Sequence, residues 1–254
     1  MIDIRTMMMG DLTIRIAGEP RGARKAVVLC HGYGAPGTDL VPLARELCQL
    51  APELAGATAF VFPEAPESLE GLGLWGGRAW WPISLEALES YARGAQRPDN
   101  RGEEPEGLAH ARRLLLKMLE EFSAASGLAY DRMVLGGFSQ GAMLTTDVAL
   151  ALDEPPAGLV ILSGTLLSES SWRKRAARRA GLPVFQSHGR QDPLLPYALA
   201  EALRDLLTGA GLSVDFHAFD GEHTIAAEVL EALPPWLMDG PRAPRAPSSG
   251  DRPA

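Results

Sequence analysis

A serine lies in a sharp glycine turn near the middle of the chain. The segment Gly137-Phe138-Ser139-Gln140-Gly141 follows an apolar run over 133–136 and precedes a helical pattern over 142–150. A Gly-x-Ser-x-Gly between a strand and a helix is typical of a nucleophile elbow, in which a side chain at either glycine would collide with a neighbouring element. The turn places the Ser139 hydroxyl at a helix N-terminus, where free N–H groups favour negative charge. The alternative is a glycine-rich connection without chemistry.

A reactive serine needs a base and a carboxylate. The hydroxyl is a weak nucleophile at neutral pH, and a histidine oriented by a carboxylate can take its proton. His223 follows the last predicted strand, and Asp192 lies in a turn after the predicted strand over 183–188. The chain order Ser, Asp, His is that of the α/β-hydrolase arrangement. We therefore predict Ser139 as nucleophile, His223 as base and Asp192 as acid.

Other histidines and carboxylates remain as alternatives. His188 ends a predicted strand just before the Asp192 turn and is the second choice as base. His31 precedes the serine, and we expect it to brace the loop that follows its strand. The remaining competitors lie within a helix or strand, after the elbow helix on the far side of the sheet, or beside His223. They are His110, His217 and Asp215 for the first group, Asp153 for the second and Asp220 for the third.

A tetrahedral intermediate needs two N–H donors for its oxyanion. The backbone N–H of Gln140, directly after the serine, is the first predicted donor. The second is the backbone N–H of Tyr33, in the glycine-rich loop after the buried strand predicted over 25–30. Because both donors are backbone groups, we expect the side chains of Gln140 and Tyr33 to tolerate change.

The surrounding elements predict an α/β fold. Buried apolar strands alternate with amphipathic helices, which indicates a mostly parallel central sheet with helices on both faces. Residues 11–17 alternate polar and apolar and predict a half-exposed antiparallel strand at the sheet edge. In parallel sheets the reacting groups collect beyond the carboxyl ends of the strands. The predicted triad and oxyanion residues all follow strands.

Residues 63–102 differ from the rest of the chain. They contain many prolines and glycines, three tryptophans (Trp75, Trp80 and Trp81) and one short helical piece over 84–93. Such a segment predicts a lid or substrate-binding loop over the site. The alternative is that the tryptophans fix a long loop to the core. The predicted substrate contacts are Trp80, Trp81, Leu166 and Leu167.

Composition excludes several classes of protein. The net charge of −8 disfavours binding to nucleic acid. No apolar run reaches membrane-spanning length, and the start lacks the apolar core of a signal peptide. We expect a cytoplasmic protein with no stable membrane insertion and a small-molecule ester substrate. The expected oligomeric state is a monomer or homodimer.

Cysteine usage and the C-terminal composition complete the domain prediction. Cys30 and Cys48 lie in apolar patterns, so we predict two buried thiols, no metal and no cofactor. We predict one domain over residues 1–239. Residues 240–254, rich in Pro, Arg, Ser and Gly, predict a disordered tail.

Several motifs occur together in a recognisable order. They are His31-Gly32-Tyr33-Gly34, the elbow through Ala142, Leu162-Ser163-Gly164, His188-Gly189 through Asp192-Pro193 to Pro196, and Gly221-x-His223. Over about residues 24–238 the chain resembles the phospholipase/carboxylesterase family, which includes acyl-protein thioesterases and bacterial carboxylesterases. The resemblance implies the α/β-hydrolase fold and the same triad and oxyanion donors. The chain departs from the family pattern after Trp80-Trp81, where Ser84 replaces a common acid in a longer loop.

These observations predict a serine carboxylesterase. It would hydrolyse short- to medium-chain carboxylic esters through an acyl-enzyme. Thioesters and lysophospholipids are alternative substrates of the same mechanism. An acyltransferase and a non-catalytic binding protein on this fold are the competing hypotheses.

Overall fold

The computed structural model describes residues 3–83 and 101–239. The predicted helical piece over 84–93 and the predicted tail over 240–254 lie outside these residues. The strands of the described part are β1 Ile4–Met9, β2 Leu12–Ala17, β3 Lys25–Cys30, β4 Thr58–Pro63, β5 Glu67–Ser68, β6 Arg78–Ala79, β7 Met133–Phe138, β8 Gly158–Leu162, β9 Pro183–Gly189 and β10 Ser213–Phe219. Its α-helices are α1 Pro42–Leu50, α2 Leu108–Ser126, α3 Gln140–Ala151, α4 Glu169–Ala176, α5 Tyr197–Gly209 and α6 Ala227–Asp239.

Eight of the described strands form one sheet in the order β1-β2-β4-β3-β7-β8-β9-β10. From β4 to β10 neighbouring strands are parallel, whereas β2 is antiparallel to both β1 and β4. The central strands are continuous apolar runs because both faces of a parallel sheet are covered. Every residue of β4 is buried. The predicted mostly parallel α/β architecture is confirmed.

The antiparallel edge of the sheet differs from the prediction in one respect. The segment over 11–17 is an antiparallel strand, but β2 lies inside the sheet between β1 and β4. The edge strand is β1, whose sequence Ile-Arg-Thr-Met-Met-Met has no polar–apolar alternation. Most of its side chains are exposed, and it is a strand because it pairs along its whole length with β2. At the opposite edge, β10 lies parallel to β9.

Helices cover both faces of the sheet. Apolar residues of α1 and α6 pack in one cluster with Val27, Phe60 and Phe185. Those of α2, α3, α4 and α5 pack in a second cluster with Val28 and Leu135. Among the described helices, none is long and apolar enough to cross a bilayer.

One buried carboxylate joins three helices on the second face. Asp147 of α3 is fully buried and accepts hydrogen bonds from Arg112 of α2 and from Arg175 of α4, the latter at 3.0 Å. The indole N–H of Trp172, also on α4, donates to the same carboxylate at 2.9 Å. Removing this buried negative charge is costly, because the guanidinium groups of Arg112 and Arg175 would lose their counter-charge. Asp147 therefore fixes how α2 and α4 pack on α3.

We expect Asp147→Asn to lower the free energy of unfolding by about 3 kcal/mol, because two arginines would then face a neutral amide. Denaturant unfolding followed by circular dichroism would measure the change. The matched control is Asp205→Asn, since Asp205 is exposed on α5 and pairs with Arg204 at the surface. An exposed pair contributes little, so the control should stay near wild type. Equal effects of the two substitutions would contradict the assigned role of Asp147.

Candidate active site

Ser139 lies in a strained turn between β7 and α3. Its backbone has a φ of 53° and a ψ of −119°, a positive-φ conformation that costs a residue with a side chain about 1–3 kcal/mol. A Cβ added at Gly137 would meet the Cys30 carbonyl oxygen and the α3 backbone, and one added at Gly141 would meet the backbone of Cys30 and His31. The predicted need for both glycines is therefore confirmed. Their bare backbone lets the first turn of α3 pack against the end of β3.

The structure brings Ser139, His223 and Asp192 together. The His223 Nε2 and Ser139 Oγ atoms are 2.8 Å apart, and the His223 Nδ1 and Asp192 Oδ2 atoms are 2.6 Å apart. Because an ionised carboxylate can only accept, Nδ1 carries the proton and donates a hydrogen bond to Asp192. In the neutral ring Nε2 is then the acceptor for the Ser139 hydroxyl. The Phe138 ring packs beside the imidazole, with ring centroids 4.8 Å apart.

Backbone hydrogen bonds hold the Asp192 turn against the loop that carries His223. Arg190 N–H donates to the Phe219 carbonyl at 2.9 Å, and Gln191 N–H donates to the Gly221 carbonyl at 3.0 Å. A Cβ at Gly189 would meet the backbone of Gly221 in this loop. The parallel pairing of β9 with β10 thus continues past the ends of the strands and sets the distance between Asp192 and His223.

A second strained serine also holds the His223 loop. Ser163 follows β8, is fully buried and has a φ of 50°. Its hydroxyl donates to the Thr224 carbonyl at 3.0 Å, one residue beyond His223. Ser163 belongs to the motif Leu162-Ser163-Gly164, and the sequence alone predicts no role for it. The available signal was a serine directly after a buried strand, but the distance to residue 224 depends on the tertiary fold.

Both oxygens of the Asp192 carboxylate accept hydrogen bonds. Its Oδ1 accepts the backbone N–H groups of Leu194 and Leu195, each at 2.8 Å. Burial alone would raise its pKa, but hydrogen bonds from His188 and His223 and from the Leu195 backbone hold the pKa well below the usual range of a carboxyl group. Asp192 is therefore ionised at neutral pH, as the partner of a protonated Nδ1 must be.

The alternative histidine and carboxylates make other contacts in the structure. His188 contacts Asp192 and the Leu195 carbonyl, not Ser139. Asp215 pairs with His217 along β10 at 3.1 Å. Asp220, beside the His223 loop, pairs with Arg190 at 3.5 Å and is exposed.

His31 fixes the loop that carries Tyr33. Its Nε2 accepts the Ala65 N–H at 3.1 Å, so Nδ1 carries the proton and lies 2.8 Å from the Gly32 carbonyl oxygen. Burial is the main cause that lowers the pKa of His31, which favours this neutral form. The indole N–H of Trp80 donates to the His31 carbonyl at 2.9 Å. His31 braces the loop, as expected.

The two predicted oxyanion donors come from elements that meet at Ser139. Gln140 is the first residue of α3, and the N–H groups of a first helical turn have no partner within the helix. The loop of Tyr33 lies against the serine, since a Cβ added at Gly32 would be 3.3 Å from the Ser139 Cβ. This placement is compatible with the predicted role of both N–H groups.

The Gln140 side chain connects the elbow to the tryptophan segment. It is buried, its Oε1 accepts the Trp80 backbone N–H at 2.9 Å, and its Nε2 donates to the Trp81 carbonyl at 2.9 Å. These two contacts argue against the expectation that this side chain tolerates change, which stays a prediction. Trp80 is hydrogen-bonded both to the elbow and to the His31 loop, so it links the elements that carry Gln140 and Tyr33.

Comparison with known proteins decides the family. The phospholipase/carboxylesterase family model matches residues 13–238. The chain belongs to this family. Among its relatives, the acyl-protein thioesterase 1 of Eremothecium gossypii is 34% identical over 205 residues, which cover 79% of this chain and 80% of the relative. The acyl-protein thioesterase 1 of Neurospora crassa is 28% identical over 219 residues, or 84% and 85% of the two chains.

Solved structures agree with this assignment. The crystal structure of esterase PE8 superposes with a TM-score of 0.74 at 28% identity and covers 93% of this chain and 99% of that one. A carboxylesterase from Mesorhizobium loti has a TM-score of 0.69 at 21% identity, covers 94% and 99% of the two chains, and supports the fold alone. This member of the phospholipase/carboxylesterase family thus has the α/β-hydrolase fold.

The predicted substrate contacts of this family member are mostly buried. Trp80 and Trp81 are 1% and 3% exposed, and Leu166 is 2% exposed. Leu167 is partly exposed. Trp75 is 84% exposed. The burial of Trp80 and Trp81 favours the alternative that these two residues fix their segment to the core. Substrate contact by Trp80, Trp81, Leu166 and Leu167 stays a prediction.

We expect Gln140→Leu to destabilise the protein by about 1–3 kcal/mol for each buried backbone group that loses its partner, here one N–H and one carbonyl. Thermal unfolding would measure the loss. The control is Tyr33→Phe, because the buried Tyr33 hydroxyl has no hydrogen-bond partner within the described residues. Removing that hydroxyl should leave stability unchanged or raise it. A Gln140→Leu protein as stable as the control would contradict the structural role assigned to the two hydrogen bonds of the Gln140 side chain.

Proposed function

We propose that Ser139, His223 and Asp192 form a catalytic triad that hydrolyses carboxylic esters through an acyl-enzyme. The observation that carries this proposal is the continuous hydrogen-bonded chain from Asp192 Oδ2 through His223 to Ser139 Oγ. The carboxylate fixes the imidazole tautomer, which leaves Nε2 free to accept the serine proton. Membership in a family of ester hydrolases supports the same reaction class.

The first half of the reaction forms the acyl-enzyme. Ser139 Oγ attacks the carbonyl carbon of the substrate while its proton moves to His223 Nε2. The resulting imidazolium is stabilised by Asp192, and the carbonyl oxygen becomes an oxyanion. When the tetrahedral intermediate collapses, the bond to the leaving oxygen or sulfur breaks and His223 donates its proton to the leaving group. The acyl group remains on Ser139.

The second half releases the acid. A water molecule gives a proton to His223 Nε2 as its oxygen attacks the acyl carbonyl. Collapse of the second intermediate breaks the bond to Ser139 Oγ, which regains the proton from His223. The free acid leaves, and the enzyme returns to its starting state.

Both intermediates place an oxyanion beside the elbow. We assign its stabilisation to the backbone N–H groups of Gln140 and Tyr33, which the Trp80 contacts hold near each other. Preorganised donors of this kind typically contribute about 10²–10³ in rate each. The φ of 53° at Ser139 supports the assignment, because it turns the residue so that the next N–H lies at the start of α3.

A thioester is the second candidate substrate. The curated relatives at 34% and 28% identity are both called acyl-protein thioesterase, and the similar structure at 28% identity is called an esterase. One triad serves both bonds, because a thiolate leaves at least as readily as an alkoxide. Lysophospholipids carry the same carboxylic ester group. The acyl group, a cytoplasmic location and the oligomeric state stay predictions.

Ser139→Ala is expected to lower kcat for an aryl ester by at least about 10³, because the covalent intermediate is then impossible. His223→Ala should have a comparable effect. A fluorophosphonate should add covalently to Ser139, and peptide mass spectrometry would locate the label. Retained turnover in a folded Ser139→Ala protein, or a label on another residue, would sink the proposed function.

Substrate preference is tested with matched oxyesters and thioesters that carry butanoyl, octanoyl or palmitoyl groups. We expect hydrolysis of both bond types, with higher kcat/KM for butanoyl and octanoyl than for palmitoyl. The reason is that Trp80, Trp81 and Leu166 are almost fully buried, so they offer little apolar surface to a long acyl chain. A clear preference for palmitoyl thioester would replace the carboxylesterase prediction with a long-chain thioesterase.

A further inference from the structure

A second histidine lies on the carboxylate that orients His223. His188 is on β9, is fully buried and has its Nε2 atom 3.2 Å from Asp192 Oδ2. The same oxygen accepts the hydrogen bond from His223 Nδ1, and these two atoms are 2.6 Å apart. The same Nε2 is 2.8 Å from the Leu195 carbonyl oxygen. His188 therefore faces two acceptors at once.

The chemistry of these neighbours fixes the form of His188. A carbonyl oxygen and a carboxylate oxygen can only accept, so Nε2 must carry a proton that is shared between them. The Nδ1 atom of His188 is buried and has no hydrogen-bond partner within the described residues. A neutral ring with its proton on Nε2 satisfies this arrangement, because the only N–H group then points at Asp192 and Leu195.

The contact with Leu195 bears on the other carboxylate oxygen. Asp192 Oδ1 accepts the backbone N–H groups of Leu194 and Leu195. By holding the Leu195 carbonyl, His188 fixes the turn that supplies these two donors. It thus acts on Oδ2 directly and on Oδ1 through the backbone.

We propose that His188 is a positioning residue for the triad: it holds Asp192 so that Oδ2 points at His223 Nδ1. This inference rests on the proposed function, since it assigns Asp192 to catalysis. The hydrogen bond from His188 is also the largest of the contributions that lower the pKa of Asp192 against the effect of burial. A carboxylate without this donor would be less firmly ionised and less firmly oriented.

The test substitutes His188 by Phe and by Gln. Phe keeps a ring against Tyr197, whose centroid is 6.2 Å away, and removes the Nε2 donor together with the unpartnered Nδ1. Loss of the whole carboxylate in a triad costs about 10⁴ in kcat, so loss of its orientation by His188→Phe should cost about 10- to 100-fold in kcat with KM nearly unchanged. His188→Gln places an amide N–H near the lost donor and should restore most of the loss.

The matched control is Gln186→Leu. Gln186 is two residues away on the same strand, is equally buried and donates to the Ala200 carbonyl without contacting Asp192. Its Oε1 has no partner within the described residues, so Leu removes only the hydrogen bond to the Ala200 carbonyl and leaves the contacts of Asp192 in place. We expect the control to keep wild-type kcat and KM. Unfolding curves on all variants separate stability from catalysis.

A double-mutant cycle tests whether His188 acts through Asp192. In the Asp192→Asn background, His188→Phe should cause no further loss of kcat, because the carboxylate that it positions is already absent. If His188→Phe lowers kcat equally in both backgrounds, or leaves wild-type kcat intact, the proposal is overturned.

A measurement on the unaltered protein covers the case in which His188→Phe does not fold. Histidine ¹⁵N chemical shifts should show His188 protonated on Nε2 and His223 protonated on Nδ1, with a strongly low-field His223 proton. An Nδ1–H tautomer at His188 would overturn the proposal. A wild-type protein that hydrolyses no ester and takes no fluorophosphonate would instead contradict the proposed function.

Discussion

The structure depends on one close approach, that of the first turn of α3 to the end of β3. It exists because Gly137 and Gly141 have no side chain where the Cys30 carbonyl oxygen lies. That approach forces Ser139 into a positive-φ conformation, and the surrounding packing of β7 and α3 maintains the strain. It also sets the loop after β3 beside the serine. The remaining site groups are placed relative to this fixed point.

Buried side chains that contact backbone groups hold the rest of the site. Gln140 binds the backbone at Trp80 and Trp81, the Trp80 indole binds His31, and Ser163 binds the loop beyond His223. Each of these contacts joins segments that are distant in sequence. In a buried site such hydrogen bonds are stronger than at the surface and are costly to leave half made. The geometry of Ser139, His223 and Asp192 is thus set by residues outside this group of three.

The sequence predicts the parts of this arrangement that are encoded locally. The elbow, the order of Ser139, Asp192 and His223, and the parallel strands follow from turn residues and apolar periodicity. The strand β1 is not predicted by its sequence, because its three consecutive methionines show no polar–apolar alternation. It depends on pairing with β2. The second role of Gln140 is equally hidden, since its partners lie about 60 residues away along the chain.

The long separation of Ser139 and His223 along the chain has a consequence for folding. Ser139 and His223 are 84 residues apart, and the strands between them must be in register before the two side chains meet. Contacts between residues so far apart in sequence form slowly, because the entropy cost of closing the chain comes before the stabilising contacts form. A partly folded chain can contain the elbow while His223 is still far from Ser139. The hydrogen bond between His223 and Ser139 therefore forms only when β9 and β10 have assembled on the sheet.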